Sequence, residues 1–481
     1  MAAKKPKKRG PKPAQKTGIG GLVLVAAGVF FPLVLTAWAL GTHDAFDNVR
    51  DYSPLRDMFT ALVGFGLLVL VAALVDAGLA WRKKKALWVP SKPVRVLAGV
   101  AVLISIALVA YILIPQVIRA GDVPPQVLLA SSVEGSGMPE YVVAFYTEKP
   151  TVNTLEWGAA GGEKQAISES EASSQHWFLL NGVEPGKEYD YWVNGKRVSS
   201  FRAMPAAGEP IRFAAAGDPH FGAGNSRPDL TEKMLAEIKD PGHNYSAFFL
   251  LGDEVQYGFS DAMWKEALGS FSNTSSSVPF VYTVGNHDTL FGGVRLYDAY
   301  LCPTGMKDAL EECYLKRIDY GNIHFIVLDV EWELETYTPE QKEWLEGQLA
   351  DIPGEDWIIV MSHTFYYSSG SRMDGWNWYD NNATITELVP LFEANGVDIV
   401  LSGHKHHSEV LEKNGITYVI AGSFGGVQNP KRTYVSPASI WYKQGQYGFV
   451  DITIENSTDA ELVFRDPDFE ELFRKTVKQR N

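Results

Sequence analysis

The stretch GVDIVLSGHKHH, residues 396–407, runs an apolar strand pattern straight into a turn that carries His404, His406 and His407. A short apolar run between glycines reads as a buried strand. Three histidines on a turn, taken alone, read more simply as solvated surface. What decides between surface and site is whether other strands end in the same way.

Four others do. IRFAAAGDPHF ends near Asp218 and His220, YSAFFLLGDE near Asp253, VPFVYTVGNHD near Asn286, His287 and Asp288, and DWIIVMSHTF near His363. Gly-Asp after a strand is commonly only a turn. Five such endings in order, using five of the ten histidines, are not explained by turns. From residue 211 onward apolar strands alternate with helical stretches, the pattern of an α/β domain. In such domains ligands gather outside the carboxyl ends of the strands.

The ligand types set the chemistry. Two Asp, one Asn, four His and no Cys suit Fe, Mn or Zn better than soft-metal or cluster sites. Seven donors exceed one open catalytic ion. They fit two ions if a carboxylate bridges them, the arrangement that activates water and clamps phosphoryl oxygens.

GDPH, GDE, GNHD, SH and GHKH resemble the five motifs of the calcineurin-like metallophosphoesterase superfamily, over roughly residues 208–466. The resemblance implies a phosphoric ester hydrolase with two metal ions. Carried over by motif, Asp218, His220 and His406 would hold one ion, Asn286, His363 and His404 the other, and Asp253 would bridge. His287 would donate a hydrogen bond or proton near the leaving oxygen, and Asp288 would orient and polarise it. His407 is extra and packs or faces solvent. Purple acid phosphatases are similar in having a fibronectin type III-like module ahead of such a domain. Two departures from them stand out: Gly217-Asp218-Pro219-His220 replaces Asp-x-Gly, and Tyr257 lies four residues after Asp253 rather than three. They speak against a tyrosine-bound ferric ion.

Ahead of this domain the charge is unevenly spread. Net charge is −14 overall, but residues 1–119 carry +11 and residues 120–481 carry −25. The basic part holds three apolar runs, 19–40, 58–81 (broken only by Asp76) and 96–118, each long enough to cross a membrane as a helix. The tail 1–18 has seven Lys+Arg and the connection from Arg82 to Arg95 has six, whereas the loop between the first two runs has two against four Asp. Basic loops stay inside, which puts the N-terminus in the cytoplasm and the rest outside. An acidic outer domain argues against nucleic acid as a partner.

Residues 119–207 show short alternating strands with turns such as EGSG and EPGK, the pattern of a β-sandwich. LLNGVEPGKEYDYWV resembles the end of a fibronectin type III module, with Tyr189 at its corner. A spacer role is the expectation. Cys302 and Cys313 fall in the outward part, where a disulfide closing the loop between them is expected.

The expected chain is therefore multi-domain. It has a basic tail (1–18), three transmembrane helices (19–118), a fibronectin III-like β-sandwich (119–207), an α/β metallophosphoesterase sandwich (208–466) and a frayed or helical tail (467–481). The expected activity is hydrolysis of a phosphate ester at the outer face of the lipid bilayer. The alternatives are a phosphodiesterase or nucleotide pyrophosphatase, or a non-enzymatic receptor on a phosphatase fold. The aromatic loop 363–382, with Tyr366, Tyr367, Trp376, Trp378 and Tyr379, either stacks on a nucleobase or shapes an apolar leaving-group pocket, or packs on its own domain. Residues 329–349, opening with Asp329, read as structural.

Overall fold

The computed structural model describes residues 19–41, 53–84, 88–117, 121–132, 137–290, 292–302, 313–332, 334, 337–373, 376–455 and 458–480. The basic tail lies outside these. The chain forms two compact units, Met1–Ile114 and Pro115–Asn481.

The first unit is helical: Ile19–Gly41, Ser53–Arg82 and Lys92–Val117. Gly28 lets two of these helices approach closely, since a Cβ there would lie 2.8 Å from the Ala98 Cα. Small residues at such crossings are typical of helices packed in lipid. Val25, Val29, Val69, Ala73, Val94, Ala98 and Ala101 form the buried seam, while Phe30, Leu67, Leu74 and Leu103 are exposed. Ile19–Ala37 and Met58–Arg82 are long and apolar enough to span a membrane. Lys92–Val117 is also helical and covers most of the third apolar run. Asp76 is not isolated in its apolar run: its Oδ2 accepts from the Trp88 indole at 3.0 Å and the Ser91 amide at 2.8 Å.

The second unit is a four-layer sandwich of two sheets between helices. Alternation along single strands explains the layering. In Ile211–Ala216, Phe213 and Ala215 enter the core between the sheets, while Ala214 and Ala216 face the helices Pro228–Lys239 and Asp261–Ser275. In Trp357–Ser362, Trp357, Ile359 and Met361 enter the same core, while Ile358 and Val360 face Pro339–Ala350 and Val389–Ala394. A period of two with both faces apolar is what a doubly covered sheet requires. Phe213, Phe249 and Phe325 meet at the centre with ring centroids 4.9–5.4 Å apart. Truncating one such ring costs about 3–5 kcal/mol.

Strands Ile211–Ala216, Ala247–Leu250 and Phe280–Tyr282 run parallel in the nine-stranded sheet, paired as Phe213↔Ala247 and Phe280↔Phe248. Strands Ile323–Val327, Trp357–Ser362, Ile399–Ser402 and Ile416–Ala421 run parallel in the seven-stranded sheet, with Ile359↔Ile399 in register. All five motif-bearing strands thus release their chains at the same edge of the sandwich.

Three expectations need correction. The seven strands before residue 205 are not a freestanding spacer. Three of them, Val123–Ala130, Glu140–Thr151 and Ser173–Leu179, continue the nine-stranded sheet, because Val123–Ala130 pairs in parallel with Phe280–Tyr282 at Leu128↔Phe280. The other four form their own sheet, ordered 165–168, 154–159, 188–193, 196–202. The tail is also not frayed. Glu471–Lys478 is an edge strand on Asp459–Arg465, held by Val477↔Ala460 and by Phe473 stacked on Trp441 at 4.9 Å. The polar composition of ELFRKTVK hides the inward-turned Phe473 and Val477, which share one face of the strand. Cys302 and Cys313 are buried beside each other as thiols rather than bonded.

Candidate metal centre

Three strands of one sheet and two of the other deliver all nine predicted side chains to the seam between them. Asp218, His220, Asp253 and His406 place one ligand atom each within 4.8 Å of one another, and so do Asp253, His363 and His404. Asp253 belongs to both groups.

The backbone is bent to achieve this. Asp218, His220, Asp253 and His404 have φ of 63°, 47°, 57° and 64°, the left-handed region that side chains rarely adopt. Each such residue costs on the order of 1–3 kcal/mol and persists only where surrounding structure imposes it. Glycines make room: a Cβ on Gly252 would lie 2.6 Å from the His363 Nδ1, and one on Gly403 2.7 Å from the Asp218 Oδ2.

In the first half-site the His220 Nε2 lies 3.1 Å from the His406 Nε2 and 3.3 Å from the Asp253 Oδ2. The His406 Nε2 is 3.2 Å from the Asp218 Oδ1. The far ring nitrogens are occupied elsewhere, His220 Nδ1 by the Gln256 Oε1 at 3.1 Å and His406 Nδ1 by the Val427 carbonyl. In the second half-site the His363 Nε2 lies 2.9 Å from the His404 Nδ1, 3.1 Å from the Asn286 Oδ1 and 3.4 Å from the Asp253 Oδ2. The His363 Nδ1–H donates to the Leu251 carbonyl at 2.7 Å, which leaves Nε2 as the ligand atom.

These separations suit metal ions. Two donors each about 2.1 Å from one ion, at tetrahedral or octahedral angles, lie about 3.0–3.4 Å apart. Imidazole nitrogens facing each other at such distances cannot both carry protons. The Asp218 Oδ1 is fully buried and accepts no hydrogen bond among the described residues. An orphaned carboxylate oxygen aimed at two imidazoles is the mark of a ligand.

Electrostatics prepares these protonation states for Asp253 and His404, though not for His363. Burial works against charge on Asp253, yet His363 and His287 outweigh it and hold the carboxyl well below its usual range. Burial also opposes charge on His363, but Asp253 pushes it up to about 10. Burial, with the His363 charge beside it, pushes His404 well below its ordinary value. Charged carboxylates and neutral imidazoles are what an ion requires, and its binding would displace the His363 proton.

The roles expected of the GNHD pair change. The Asp288 carboxylate accepts from the backbone amides of Asp253 (2.8 Å), Gly285 (2.9 Å) and Val255 (3.2 Å). It clamps the second motif loop to the third, and it does not polarise His287. The His287 ring is held instead by the Gln256 carbonyl at 2.8 Å from Nδ1, and its amide donates to the Asp253 Oδ1. His407 packs: its Nε2 meets Glu409 at 3.1 Å and its ring lies on Tyr442. Tyr257 stacks on Phe259.

Other contributors carry no motif. The carbonyls of Leu251, Gln256 and Val427 have no side-chain signal. Gly426 sits where a Cβ would lie 2.2 Å from the Asp218 carbonyl. Trp332, in the segment read as structural, lies edge-on to His404 at 4.7 Å. Its neighbour Glu331 accepts from the Thr289 hydroxyl beside the GNHD turn at 2.7 Å.

Residues 211–408 match the family model of the calcineurin-like phosphoesterases. Purple acid phosphatase 18 of Arabidopsis thaliana is 23% identical over 371 residues, 71% of this chain and 81% of that protein. A nucleotide pyrophosphatase/phosphodiesterase of Hordeum vulgare is 24% identical over 275 residues, 47% of this chain and 69% of that protein. Among solved structures, purple acid phosphatase PPD1 from yellow lupin (Lupinus luteus) seeds superposes with a TM-score of 0.63 at 18% identity, covering 75% of each chain. That likeness establishes the fold.

Proposed function

We propose that this chain is a membrane-anchored, metal-dependent phosphoester hydrolase, a reading supported by the match of residues 211–408 to the calcineurin-like phosphoesterases and by the clustered Asp and His donors. It hydrolyses phosphate esters on the extracytoplasmic side, using two ions. The observation that carries the proposal is the pair of donor clusters sharing the Asp253 carboxylate. Asp218, His220 and His406 would hold one ion, and Asn286, His363 and His404 the other. Two such ions supply an activated water and neutralise phosphoryl oxygens; Fe, Mn and Zn all suit the donors.

The protein's own groups do the rest. Gln256 keeps a hydrogen on the His287 Nδ1, because a carbonyl can only accept. Burial pushes His287 down to about 4, against the pull of Asp253, so the neutral ring presents a lone pair at Nε2. The negative charge of an arriving ester raises the ring's proton affinity, so that Nε2 takes up a proton from solvent as the ester binds and can pass it to the leaving oxygen.

The anchoring rests on the apolar helices and the inward-biased basic residues. The strands before residue 205 fit a fibronectin type III-like order, three strands facing four. The Tyr189 hydroxyl supports that reading, donating to the Gly182 carbonyl at 3.2 Å and accepting from the Glu184 amide at 2.8 Å. A second reading, hydrolysis of diesters or pyrophosphates, is favoured by the likeness to the nucleotide pyrophosphatase/phosphodiesterase of Hordeum vulgare.

The test uses the full chain in detergent with p-nitrophenyl phosphate and bis-p-nitrophenyl phosphate, loaded with Mn, Zn or Fe. Metal-dependent turnover that vanishes in both Asp253→Asn and His404→Ala is expected, and the monoester-to-diester ratio separates the two readings. Turnover that survives in either variant overturns the assignment.

A further inference from the structure

The two half-sites differ in what surrounds them. The His404 ring is enclosed by aromatic rings: Phe365 nearly parallel at 5.8 Å, Trp332 edge-on at 4.7 Å and Trp378 tilted at 5.0 Å. The described aromatic contacts of His220 and His406 are with each other and, for His220, with His287. Packing one imidazole does not require three rings. Phe365 is 4% exposed and already covers the His404 face. Trp332 and Trp378 are both only half-buried, and their rings lie 5.1 Å apart at 36°.

Trp378 is also held in place from behind. It ends a short hairpin, Ser371–Met373 with Trp376–Trp378. The buried Lys405, between ligands His404 and His406, donates to the Trp378 carbonyl at 2.6 Å. Its ammonium lies 4.8 Å from the Trp378 ring and 5.1 Å from the Phe365 ring. Tyr379, next in the chain, stacks on Tyr434 at 4.1 Å. A partly exposed indole pinned this firmly is arranged for contact, because rigid aromatic surface loses little conformational freedom when a ligand covers it.

We propose that Trp332 and Trp378 form the leaving-group wall of the active site and select phosphate esters whose leaving group is a flat aromatic ring. Lys405 is the positioning residue that fixes the wall. This rests on the hydrolase reading and names its substrate class. The reaction is unchanged: water adds to phosphorus, the ester P–O bond breaks, and the departing oxygen takes a proton. A ring stacked on the indoles strengthens ester binding by about tenfold.

The experiment measures KM on the full chain, metal-loaded in detergent, for three monoesters: phenyl phosphate, adenosine 5′-monophosphate and glycerol 2-phosphate. In parallel, calorimetry compares binding of phenylphosphonate and methylphosphonate. The variants are the double substitution W332L/W378L and, separately, Lys405→Met, each checked for metal content. The wild type is expected to favour the aromatic members. The double variant should raise KM for phenyl phosphate about tenfold more than for glycerol 2-phosphate and weaken phenylphosphonate selectively. Lys405→Met should move in the same direction by less. Whichever of phenyl phosphate and the nucleotide loses more tells whether the ring sits on the ester oxygen or one sugar away.

Equal losses for aromatic and aliphatic compounds would mean that the indoles only pack His404, and the proposal fails. It fails equally if the wild type does not discriminate. If no ester is turned over, the hydrolase reading fails while the phosphonate pair still decides the wall.

Discussion

The two halves of the candidate metal centre share Asp253 and each add two histidines, but they are built by different means. In the first, His220 and His406 are fixed by hydrogen bonds to Gln256 and to the Val427 carbonyl, both on loops. In the second, His363 is fixed by the Leu251 carbonyl just beyond a central strand, and His404 by aromatic packing. Hydrogen bonds from loops orient a ligand with little surrounding mass. Aromatic packing fixes a ring and shapes the space beside it. The first half-site is therefore the adjustable one, and the second is where substrate shape is read.

The largest expected effect abolishes the comparison. Asp253 serves both halves, so Asp253→Asn should remove both ions and lower turnover by at least about a thousandfold, measured by metal analysis alongside ester hydrolysis. Next come the variants that separate the halves. His220→Ala and His404→Ala should each leave one ion per folded chain, and two ions remaining in either would break the assignment. Asp288→Ala acts on neither half but on the loop between them. It strands three buried amides and should cost about 3 kcal/mol, read as a lower melting temperature with or without metal.

A finer test changes only the supports. Gln256→Ala should weaken one ion by about 10–100-fold and leave the other, while Phe365→Leu should do the reverse. Metal titration against a competing chelator reads both. If both variants weaken the same ion, the two halves are not built as described.

The smallest effect lies outside the site. Asp398 is buried without a facing imidazole, and burial pushes its carboxyl up to about 6 despite amide bonds from Ile358 and Arg480. Its folded pKa exceeds its ordinary value, so the folded chain holds the extra proton between about pH 4 and 6, and stability falls as pH rises through that window. The wild-type margin over Asp398→Asn should shrink by on the order of 2 kcal/mol from pH 4 to pH 7 in chemical denaturation. A flat margin would mean that the two amides, like the imidazoles around Asp253, fully compensate the charge.

The candidate site was legible because polar residues suited to metals follow directly on apolar strands, a conjunction visible in GDPH, GDE, GNHD, SH and GHKH. What supports them was not legible. Main-chain carbonyls leave no mark in a sequence, and neither do left-handed turns at Asp218 and His220. Trp332 went unnoticed inside DVEWELE because an aromatic there is as well explained by packing. The motif resemblance pairs Asp288 with His287, whereas its oxygens turn back to three amides. Strand periodicity before residue 205 gave the strands but not their partners, since only the pairing of Leu128 with Phe280 makes them part of the larger sheet.

The most direct measurement is the number of ions bound per full-length chain in wild type and in His404→Ala, taken with ester turnover before and after chelation. Two ions in the wild type, one in the variant, and turnover that disappears with the metal and returns with it would bear out a two-metal centre bridged by Asp253. A folded wild-type chain that binds one ion or none, or that hydrolyses esters after its metal is stripped, would contradict it.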